Sequence, residues 1–256
     1  YQLLEDVLCY RDAVKKVLPQ MGTSTVDYLD PAYKQLAYET LSQIHPRSMH
    51  LEVSEVRQAT PTCKVIRFQR KDGAIPPFRP GQYLSILVDV DGVRTNRPYS
   101  IASTPAMPYI ELAIRETERG FVSTFLLDQL TPGYQVVTSG PEGTFYHEPL
   151  SEGRQLAFIA GGSGITPMMS MIRDAQQRAW PQQIVLFYGC RTPEELIYHE
   201  EFCELAARTP EFTYVPVISE PPSGFEGQTG LIDAALLRRH LSSPDEFTFY
   251  LCGPQA

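Results

Sequence analysis

Four consecutive residues combine a cation, an aromatic ring and a hydroxyl group. They are Arg97, Pro98, Tyr99 and Ser100, within a stretch whose spacing is typical of a strand. Residues two apart in a strand share a side, so Arg97 and Tyr99 are expected to face together. Arginine binds phosphate oxygens, and a serine hydroxyl can donate or accept a hydrogen bond. A flavin nucleotide requires these groups, although an ordinary strand with a surface arginine fits the four residues equally well.

A second candidate for phosphate binding is the sequence Gly120, Phe121, Val122 and Ser123, which precedes a helical pattern over residues 124–130. Backbone amides at the start of a helix can hold a pyrophosphate, and the helix dipole strengthens the interaction. Ser123 could equally be a simple helix cap. Taken alone, this sequence is a weak indication of phosphate binding.

A glycine-rich sequence, residues 161–167 (GGSGITP), follows an apolar strand pattern directly and opens a helix. This setting indicates dinucleotide binding, because the glycines allow the backbone to approach a pyrophosphate at the helix start. The sequence departs from the usual G-x-G-x-x-G pattern, since Pro167 stands where a third glycine would be. A tight strand-to-helix turn without a ligand is the alternative.

The last strand pattern ends in Cys252, Gly253 and Pro254. In an open α/β sheet, ligands bind beyond the carboxyl ends of the strands. Cys252 is therefore expected at the same edge of the sheet as Gly162 and Thr166. The alternative is a thiol that only packs.

Two kinds of pattern must position these residues. Short strand patterns separated by turns occupy the first half and predict a closed antiparallel barrel. They span residues 50–56, 62–68, 83–90, 99–102, 109–115 and 134–138.

After Gly153 the pattern changes to strands that alternate with helices, which predicts a parallel sheet covered on both faces. The strands are expected at residues 155–160, 184–188, 212–218 and 247–252. Three helices are expected: one that follows the glycine-rich sequence and ends near residue 177, and two that span residues 193–207 and 231–241. The expected fold is thus an antiparallel β-barrel domain, residues 48–150, followed by an α/β domain, residues 151–256.

The first 47 residues read as a helical extension or linker. Apolar residues recur at helical spacing from Leu3 to Leu18, and a second helix is predicted from Pro31 to Ile44. Pro31 suits the first turn of that helix.

Composition excludes several classes of protein. The chain has 256 residues and a net charge of −8, which argues against general nucleic-acid or anionic-membrane binding. No apolar run of about 18 residues is present, as a membrane-spanning helix would need. Its five cysteines form no metal-ligand spacing and fit free thiols in a reducing, cytoplasmic compartment.

In their order along the chain, these sequences resemble the ferredoxin–NADP reductase superfamily over roughly residues 48–256. The resemblance includes residues 78–83 (FRPGQY), 140–145 (GPEGTF) and 188–191 (YGCR). Residues 212–221 (FTYVPVISEP) and 227–230 (GQTG) are most similar to the NADH-dependent reductase components of bacterial oxygenases.

The resemblance implies an enzyme that transfers hydride from NADH to FAD and then single electrons to an iron–sulfur centre. FAD is expected rather than FMN, and a 2Fe-2S cluster is expected in a missing domain or a partner, not in this chain. One alternative is the reductase part of another fusion, such as a flavohaemoglobin-like oxidase or an electron-input subunit. Another is a non-catalytic flavin-binding docking module.

The resemblance also implies roles for individual residues. Arg97 would hold the flavin pyrophosphate, Tyr99 would stack on the ring and Ser100 would reach N5, while Thr166 and Cys252 would face the nicotinamide. The other residues expected to contact a cofactor are Pro98, Ile114, Arg115, Gly120, Phe121, Val122, Ser123, Gly162, Gly164, Gly253 and Pro254.

The resemblance also bears on the choice of nicotinamide. NADPH-specific members of the superfamily often carry a Ser-Arg pair after the third strand of this domain, and the matching residues here are Ser219 and Glu220. A carboxylate there would repel the 2′-phosphate of NADPH and could accept hydrogen bonds from the ribose of NADH. Arg191 is the opposing indication, because it could bind a 2′-phosphate. It could equally hold the pyrophosphate or pair with Glu194 or Glu195.

Overall fold

The computed structural model describes residues 31–117, 120–179 and 182–254. It begins with helix α1 (Pro31–Ile44), which has the bounds predicted from the sequence. The helical pattern predicted between Leu3 and Leu18 lies outside the described residues. Ile44 at the end of α1 is buried.

Six antiparallel strands form the first sheet, in the order β4-β3-β6-β1-β2-β5. An isolated bridge between Ile101 and Leu112 joins the chain just after β4 to β5, so the two edges of the sheet meet. The predicted antiparallel barrel is confirmed. The strands are β1 (Ser48–Thr60), β2 (Cys63–Arg70), β3 (Tyr83–Val90), β4 (Val93–Ser100), β5 (Ile110–Arg115) and β6 (Gln135–Ser139).

The fourth strand was predicted at residues 99–102 and instead occupies Val93–Ser100. It forms a hairpin with β3 through Asp91 and Gly92, which both have positive φ, at 52° and 80°. Two positive φ angles suit the tight turn that matches strand twist. The prediction was wrong because β4 is largely exposed and lacks an apolar alternation.

Helix α2 (Phe121–Gln129) lies between β5 and β6, beginning three residues earlier than predicted. Val122, Leu126 and the following Leu130 are buried in the core of the barrel. This packing fixes the start of α2 against the strands.

A second sheet contains five parallel strands in the order β10-β9-β8-β7-β11. Leu186 and Tyr188 of β8 belong to one hydrophobic cluster, whereas Val185 and Phe187 belong to another on the opposite face. Both faces are therefore buried, as the α/β prediction requires. The strands are β7 (Gln155–Gly161), β8 (Gln183–Cys190), β9 (Phe212–Ile218), β10 (Gln228–Thr229) and β11 (Phe247–Cys252), and the helices are α3 (Ile165–Arg178), α4 (His199–Arg208) and α5 (Ala234–His240).

Two helix predictions in this half need correction. The segment 193–207 is a short 3-10 turn, Pro193–Glu195, followed by α4 from His199. Tyr198 separates them with a left-handed φ of 60°. Helix α5 begins at Ala234 rather than residue 231, because the Asp233 carboxylate caps it.

Strand β5 is the structural boundary between the two sheets. Ile110, Leu112 and Ile114 point into the barrel core. On the alternate face, Ala113 packs into the cluster of the α/β unit. Since residues along a strand alternate between faces, β5 presents one side to each unit.

Among the residues that the structure describes, no helix is long and apolar enough to cross a membrane.

Candidate functional site

The glycine-rich loop between β7 and α3 requires glycine for steric reasons. Gly162 has φ +52°, and a Cβ there would lie 2.5 Å from Nη1 of Arg115. A Cβ on Gly164 would collide with the carbonyl of Cys252 and lie 2.8 Å from the nitrogen of Gly253. The loop therefore packs its backbone closely against Arg115 and the Cys252–Gly253 segment at the start of α3, where a helix dipole favours an anion.

The hydroxyl group of Tyr188 is hydrogen-bonded to the glycine-rich loop. It donates to the Gly162 carbonyl at 2.9 Å and accepts from the amide of Ile197 at 3.1 Å. The side chain is fully buried, and burial raises the pKa of its phenol well above the ordinary value. A neutral phenol thus fixes the orientation of Gly162 in the loop.

The Cys252, Gly253 and Pro254 segment lies against the same loop. Cys252 pairs in register with Ala160, and Pro254 Cδ would be 2.9 Å from a Cβ on Gly161. Cys252 is partly exposed, and burial raises the pKa of its thiol. The thiol is therefore protonated at neutral pH and suits a contact role rather than a nucleophilic one.

Thr166, at the first turn of α3, is buried. Its hydroxyl donates to the carbonyl of Ser163 at 2.8 Å, so its rotamer is held by the loop.

Two arginines share one carboxylate beside the loop. Arg115 of β5 and Arg191 after β8 each contact a different oxygen of Glu195, at 3.0 and 2.8 Å. Of the two glutamates that the sequence offered as partners for Arg191, the structure pairs it with Glu195. Burial alone would raise the pKa of the Glu195 carboxyl, but Arg191 and Arg115 hold it below the ordinary value. Two cations next to a glycine cradle fit the phosphates of a dinucleotide.

Arg97 and Tyr99 lie on the exposed end of the barrel. Arg97 is exposed and donates to Thr95 Oγ1 at 3.0 Å and to the Asn96 carbonyl at 2.7 Å. Tyr99 packs against the barrel core, and burial raises its pKa to about 12, with Arg97 opposing the shift. The ring is thus neutral and half-buried beside a cation, as a flavin site would need.

Ser100 ends strand β4 opposite Tyr83, and Pro98, exposed, lies opposite Ser85. None of the described side chains hydrogen-bonds the Ser100 hydroxyl. The bridge just after Ser100, between Ile101 and Leu112, places this residue next to β5. Ile114 of β5 is buried in the barrel, whereas the neighbouring Arg115 reaches the glycine loop.

The Gly120 to Ser123 sequence forms a second glycine-dependent helix start. A Cβ on Gly120 would collide with oxygens of Thr117 and Ser123. The Ser123 hydroxyl contacts Thr117 Oγ1 at 2.8 Å, and Gly120 is the N-cap, so the alternative of a Ser123 cap is wrong. Val122 is buried and Phe121 is exposed.

Glu220 is exposed after β9 and its amide donates to the Arg191 carbonyl at 2.8 Å. The two residues that bear on the nicotinamide prediction are thus neighbours at the edge of the sheet.

The structure brings some of the predicted cofactor-contacting residues into direct contact with one another and leaves two other groups of them apart. Hydrogen bonds, ion pairs and close backbone contacts connect one group around the glycine loop. The β4 sequence and the α2 start lie apart from this group and border it through β5. The joined residues are Gly162, Gly164, Thr166, Arg115, Arg191, Glu220, Cys252, Gly253 and Pro254.

Sequence reasoning missed Glu111 and Arg173, and it weighed Glu195 only as a surface partner of Arg191. Glu111 interrupts the apolar strand sequence IELAIR, and Arg173 follows the apolar run MMSMI. A charged residue inside an apolar pattern is rarely buried without a partner, so the two could have been flagged as a pair.

Two family models match the chain, one for each half. The oxidoreductase FAD-binding domain matches residues 50–147, and the oxidoreductase NAD-binding domain matches residues 158–256. The two glycine cradles, the arginines and the half-buried tyrosine fit these two cofactors.

Curated relatives and solved structures agree with this assignment. Ferredoxin–NADP reductase B of Sorangium cellulosum is 32% identical over 180 residues, which are 70% of this chain and 73% of that protein. The reductase component DmpP of phenol 2-monooxygenase from a Pseudomonas species is 36% identical over 206 residues, 79% of this chain and 57% of that protein. The Amycolatopsis cytochrome P450 reductase GcoB superposes with a TM-score of 0.72 at 28% identity, over 82% of this chain and 63% of that one.

The chain belongs to the ferredoxin–NADP reductase family and carries its FAD-binding and NAD-binding domains. The predicted resemblance, including the likeness to oxygenase reductase components, is confirmed. The chain spans a little more than half the length of several curated relatives that it matches.

Proposed function

We propose that this chain is the flavin- and nicotinamide-binding part of an NADH-dependent reductase that delivers single electrons to an iron–sulfur centre. The observation that carries the proposal is the direct contact of the nucleotide loop, at Gly162, with Arg115 on the strand that borders the flavin-binding barrel. FAD would supply the conversion between two-electron hydride chemistry and single-electron transfer. Residues 48–150 would form the FAD domain and residues 151–256 the NAD domain.

Three residues of β4 would bind and orient the flavin. Arg97 is exposed and can turn its guanidinium from Thr95 to a pyrophosphate oxygen. Tyr99 would offer its ring face, and the Ser100 hydroxyl would be available for a hydrogen bond at N5. The amides at the start of α2, after Gly120, would hold the second side of the pyrophosphate.

The loop and last strand would hold the nicotinamide nucleotide. Backbone amides near Gly162 and Gly164 would bind its pyrophosphate, with Arg115 and Arg191 as counter-charges. Thr166 and the protonated Cys252 would bound the nicotinamide and exclude water.

A ferredoxin-type acceptor is supported by the names of two relatives. Ferredoxin–NADP reductase B of Sorangium cellulosum is 32% identical to this chain, and the ferredoxin–NAD(P)+ reductase component of the naphthalene 1,2-dioxygenase system of a Ralstonia species is 31% identical. We propose a 2Fe-2S centre in a partner or in a further domain, and a cytoplasmic location.

NADH is the proposed donor rather than NADPH, because Glu220 is an exposed acidic residue whose backbone amide is bonded to the carbonyl of Arg191 at the edge of the sheet. Each tenfold of preference needs only about 1.4 kcal/mol, so one carboxylate is sufficient. Comparison of kcat/KM for the two nucleotides with ferricyanide as acceptor tests this. Glu220→Arg should reduce the difference in kcat/KM between NADH and NADPH. Equal kcat/KM values for the two nucleotides in the wild type would contradict the assignment of NADH.

The decisive experiment uses the chain purified with its flavin. Heat should release FAD, identified by its chromatographic position against FMN. NADH added without oxygen should bleach the flavin absorbance, and Ser100→Ala should slow the bleaching while flavin content stays unchanged. Bound flavin that NADH does not bleach would indicate a docking module without turnover.

A further inference from the structure

A buried carboxylate lies at the junction of the two domains. The side chain of Glu111 in β5 is 1% exposed. It accepts hydrogen bonds from Arg173 Nη1 at 2.7 Å, Arg67 Nε at 2.9 Å and the Tyr198 hydroxyl at 3.2 Å. Arg67 belongs to the barrel, whereas Arg173 and Tyr198 belong to the α/β domain. The carboxylate therefore joins the two domains by hydrogen bonds.

Arg173 of α3 connects three elements through one guanidinium group. Besides Glu111, its Nη1 donates to the Ala102 carbonyl at 3.1 Å. Its Nε and Nη2 donate to the two oxygens of Glu201 in α4 at 2.8 and 2.7 Å. The guanidinium also lies 5.1 Å from the centre of the Tyr198 ring. Its planar fork fixes the geometry of all these partners together.

The ends of this connection lie close to the proposed reaction site. Ala102 comes two residues after Ser100, and Arg173 comes seven residues after Thr166 on α3. Seven helical residues span about 10 Å, so Arg173 is about two turns from the glycine loop. The guanidinium thus links the chain just after β4, two residues beyond Ser100, to the helix that carries Thr166.

A second set of hydrogen bonds runs parallel to the first. The Ser170 hydroxyl of α3 donates to the Ser103 carbonyl at 2.6 Å, and the Ser103 hydroxyl accepts from the Glu111 amide at 3.0 Å. Both serines are fully buried. The junction is therefore held at adjacent points, which favours one relative orientation of the two domains.

We propose that Arg173 is a positioning residue for hydride transfer, which sets the separation between the Ser100 and Thr166 sides of the site. This inference rests on the proposed function. It follows from geometry, because a change in the junction would move α3 and its loop relative to the flavin-binding strand. A misplacement of about 1 Å can slow a reaction on the order of 100-fold.

The test compares Arg173→Lys and Arg173→Met with Arg178→Met, all in the FAD-loaded chain. Arg178 is on the same helix and pairs with Asp174 one turn earlier, so Arg178→Met removes the same charge as Arg173→Met while all the bonds of Arg173 described above stay intact. Rapid-mixing reduction by NADH separates the limiting rate from the dissociation constant. The Arg173 variants should lose about 10- to 100-fold in limiting rate. Their NADH dissociation constant should stay within about threefold, which is under about 1 kcal/mol.

A second measurement does not depend on turnover. Amide hydrogen exchange of the same preparations without NADH should accelerate at residues 101–104 and 162–166 in the Arg173 variants. Arg178→Met should leave both segments unchanged. A role confined to global stability would instead accelerate exchange throughout both domains.

If Arg173→Met does not fold, Arg173→Lys and Tyr198→Phe carry the test, since Tyr198→Phe removes only one hydroxyl from Glu111. A wild-type limiting rate and exchange pattern in Arg173→Lys would overturn the inference. So would an equal loss of rate in Arg178→Met. If NADH fails to reduce the wild-type flavin, the proposed function fails, while the exchange comparison still reports whether Arg173 holds the junction.

Discussion

Two ionic contacts connect the barrel to the α/β domain from the same face of β5, and they differ in their access to water. Glu111 is almost completely buried, whereas the contact of Arg115 with Glu195 is shared with Arg191, whose side chain is 63% exposed. A buried pair is costly to break, because removal of one partner leaves a charge out of water. Arg115 and Glu195 are 27% and 11% exposed, so their contact is less buried than that of Glu111, and its second arginine, Arg191, is open to water and more easily rearranged.

The difference separates two tasks along one strand. The Glu111 end suits a fixed junction between domains. The Arg115 end lies beside the glycine loop, where, under the proposed function, the arginines would exchange a carboxylate for the phosphates of an incoming nucleotide. A fixed junction and ligand access would then occupy opposite ends of a six-residue strand.

The largest effect is expected from Glu111→Ala, which should lower the free energy of unfolding by about 3–5 kcal/mol because two arginines lose a buried partner. Glu55→Ala is the matched control, since Glu55 also pairs with Arg67 but is 51% exposed. That variant should lose about 0–1 kcal/mol. Urea unfolding measures both, and equal losses would contradict the comparison.

The second-largest effect is expected on NADH binding at the glycine-rich loop. Gly164→Ala should raise the NADH dissociation constant by more than about tenfold, or about 1.4 kcal/mol, because the new Cβ displaces the Cys252 backbone. Gly153→Ala is the control, since its Cβ would meet only ordinary contacts, the nearest at 3.7 Å. Fluorescence titration measures binding. Unchanged affinity in Gly164→Ala would remove the loop from the nucleotide site.

A smaller effect is expected in acid. Burial alone would raise the Glu111 pKa, but Arg173 and Arg67 hold it below the ordinary value. The unfolded chain then binds the proton more readily, so stability rises with pH. The contribution is complete above the ordinary glutamate pKa of about 4.3 and is lost as pH falls through the lower folded value.

Urea unfolding of the wild type and of Glu111→Gln between pH 3 and 7 measures this contribution. The glutamine cannot ionise, so the stability of the variant should fall less steeply in acid. Parallel curves would show that Glu111 is not held ionised at the junction.

The smallest effect is expected from Glu195→Gln. It should lower the free energy of unfolding by about 1 kcal/mol, less than Glu111→Ala, because Arg191 is exposed to water and the glutamine can still accept a hydrogen bond from either arginine. Glu194→Gln, with the same charge change in the adjacent exposed residue, is the control. If Glu195→Gln lowered the free energy of unfolding as much as Glu111→Ala, the two ends of β5 would contribute equally to stability and the comparison would be contradicted.

Local sequence predicted the bounds of several elements. Strand β9 (Phe212–Ile218) and helix α1 (Pro31–Ile44) have the predicted bounds, because their residues carry a strand or helix pattern in themselves. The prediction misplaced strand β4 because that strand is mostly exposed. The helix predicted at residues 193–207 was too long because Tyr198 adopts a left-handed conformation, which the hydrophobic pattern does not predict.

The sequence by itself determined the order of the two domains and the glycine loop, because turn chemistry and hydrophobic periodicity are local properties. Only the tertiary structure decided that Glu111 meets Arg173, 62 residues away, and that Arg115 meets Glu195, 80 residues away. Such pairs depend on how β5 packs against α3 and α4. The alternation of β5 side chains between two cores has no consequence until both cores exist, so the junction between the domains follows from packing rather than from spacing along the chain.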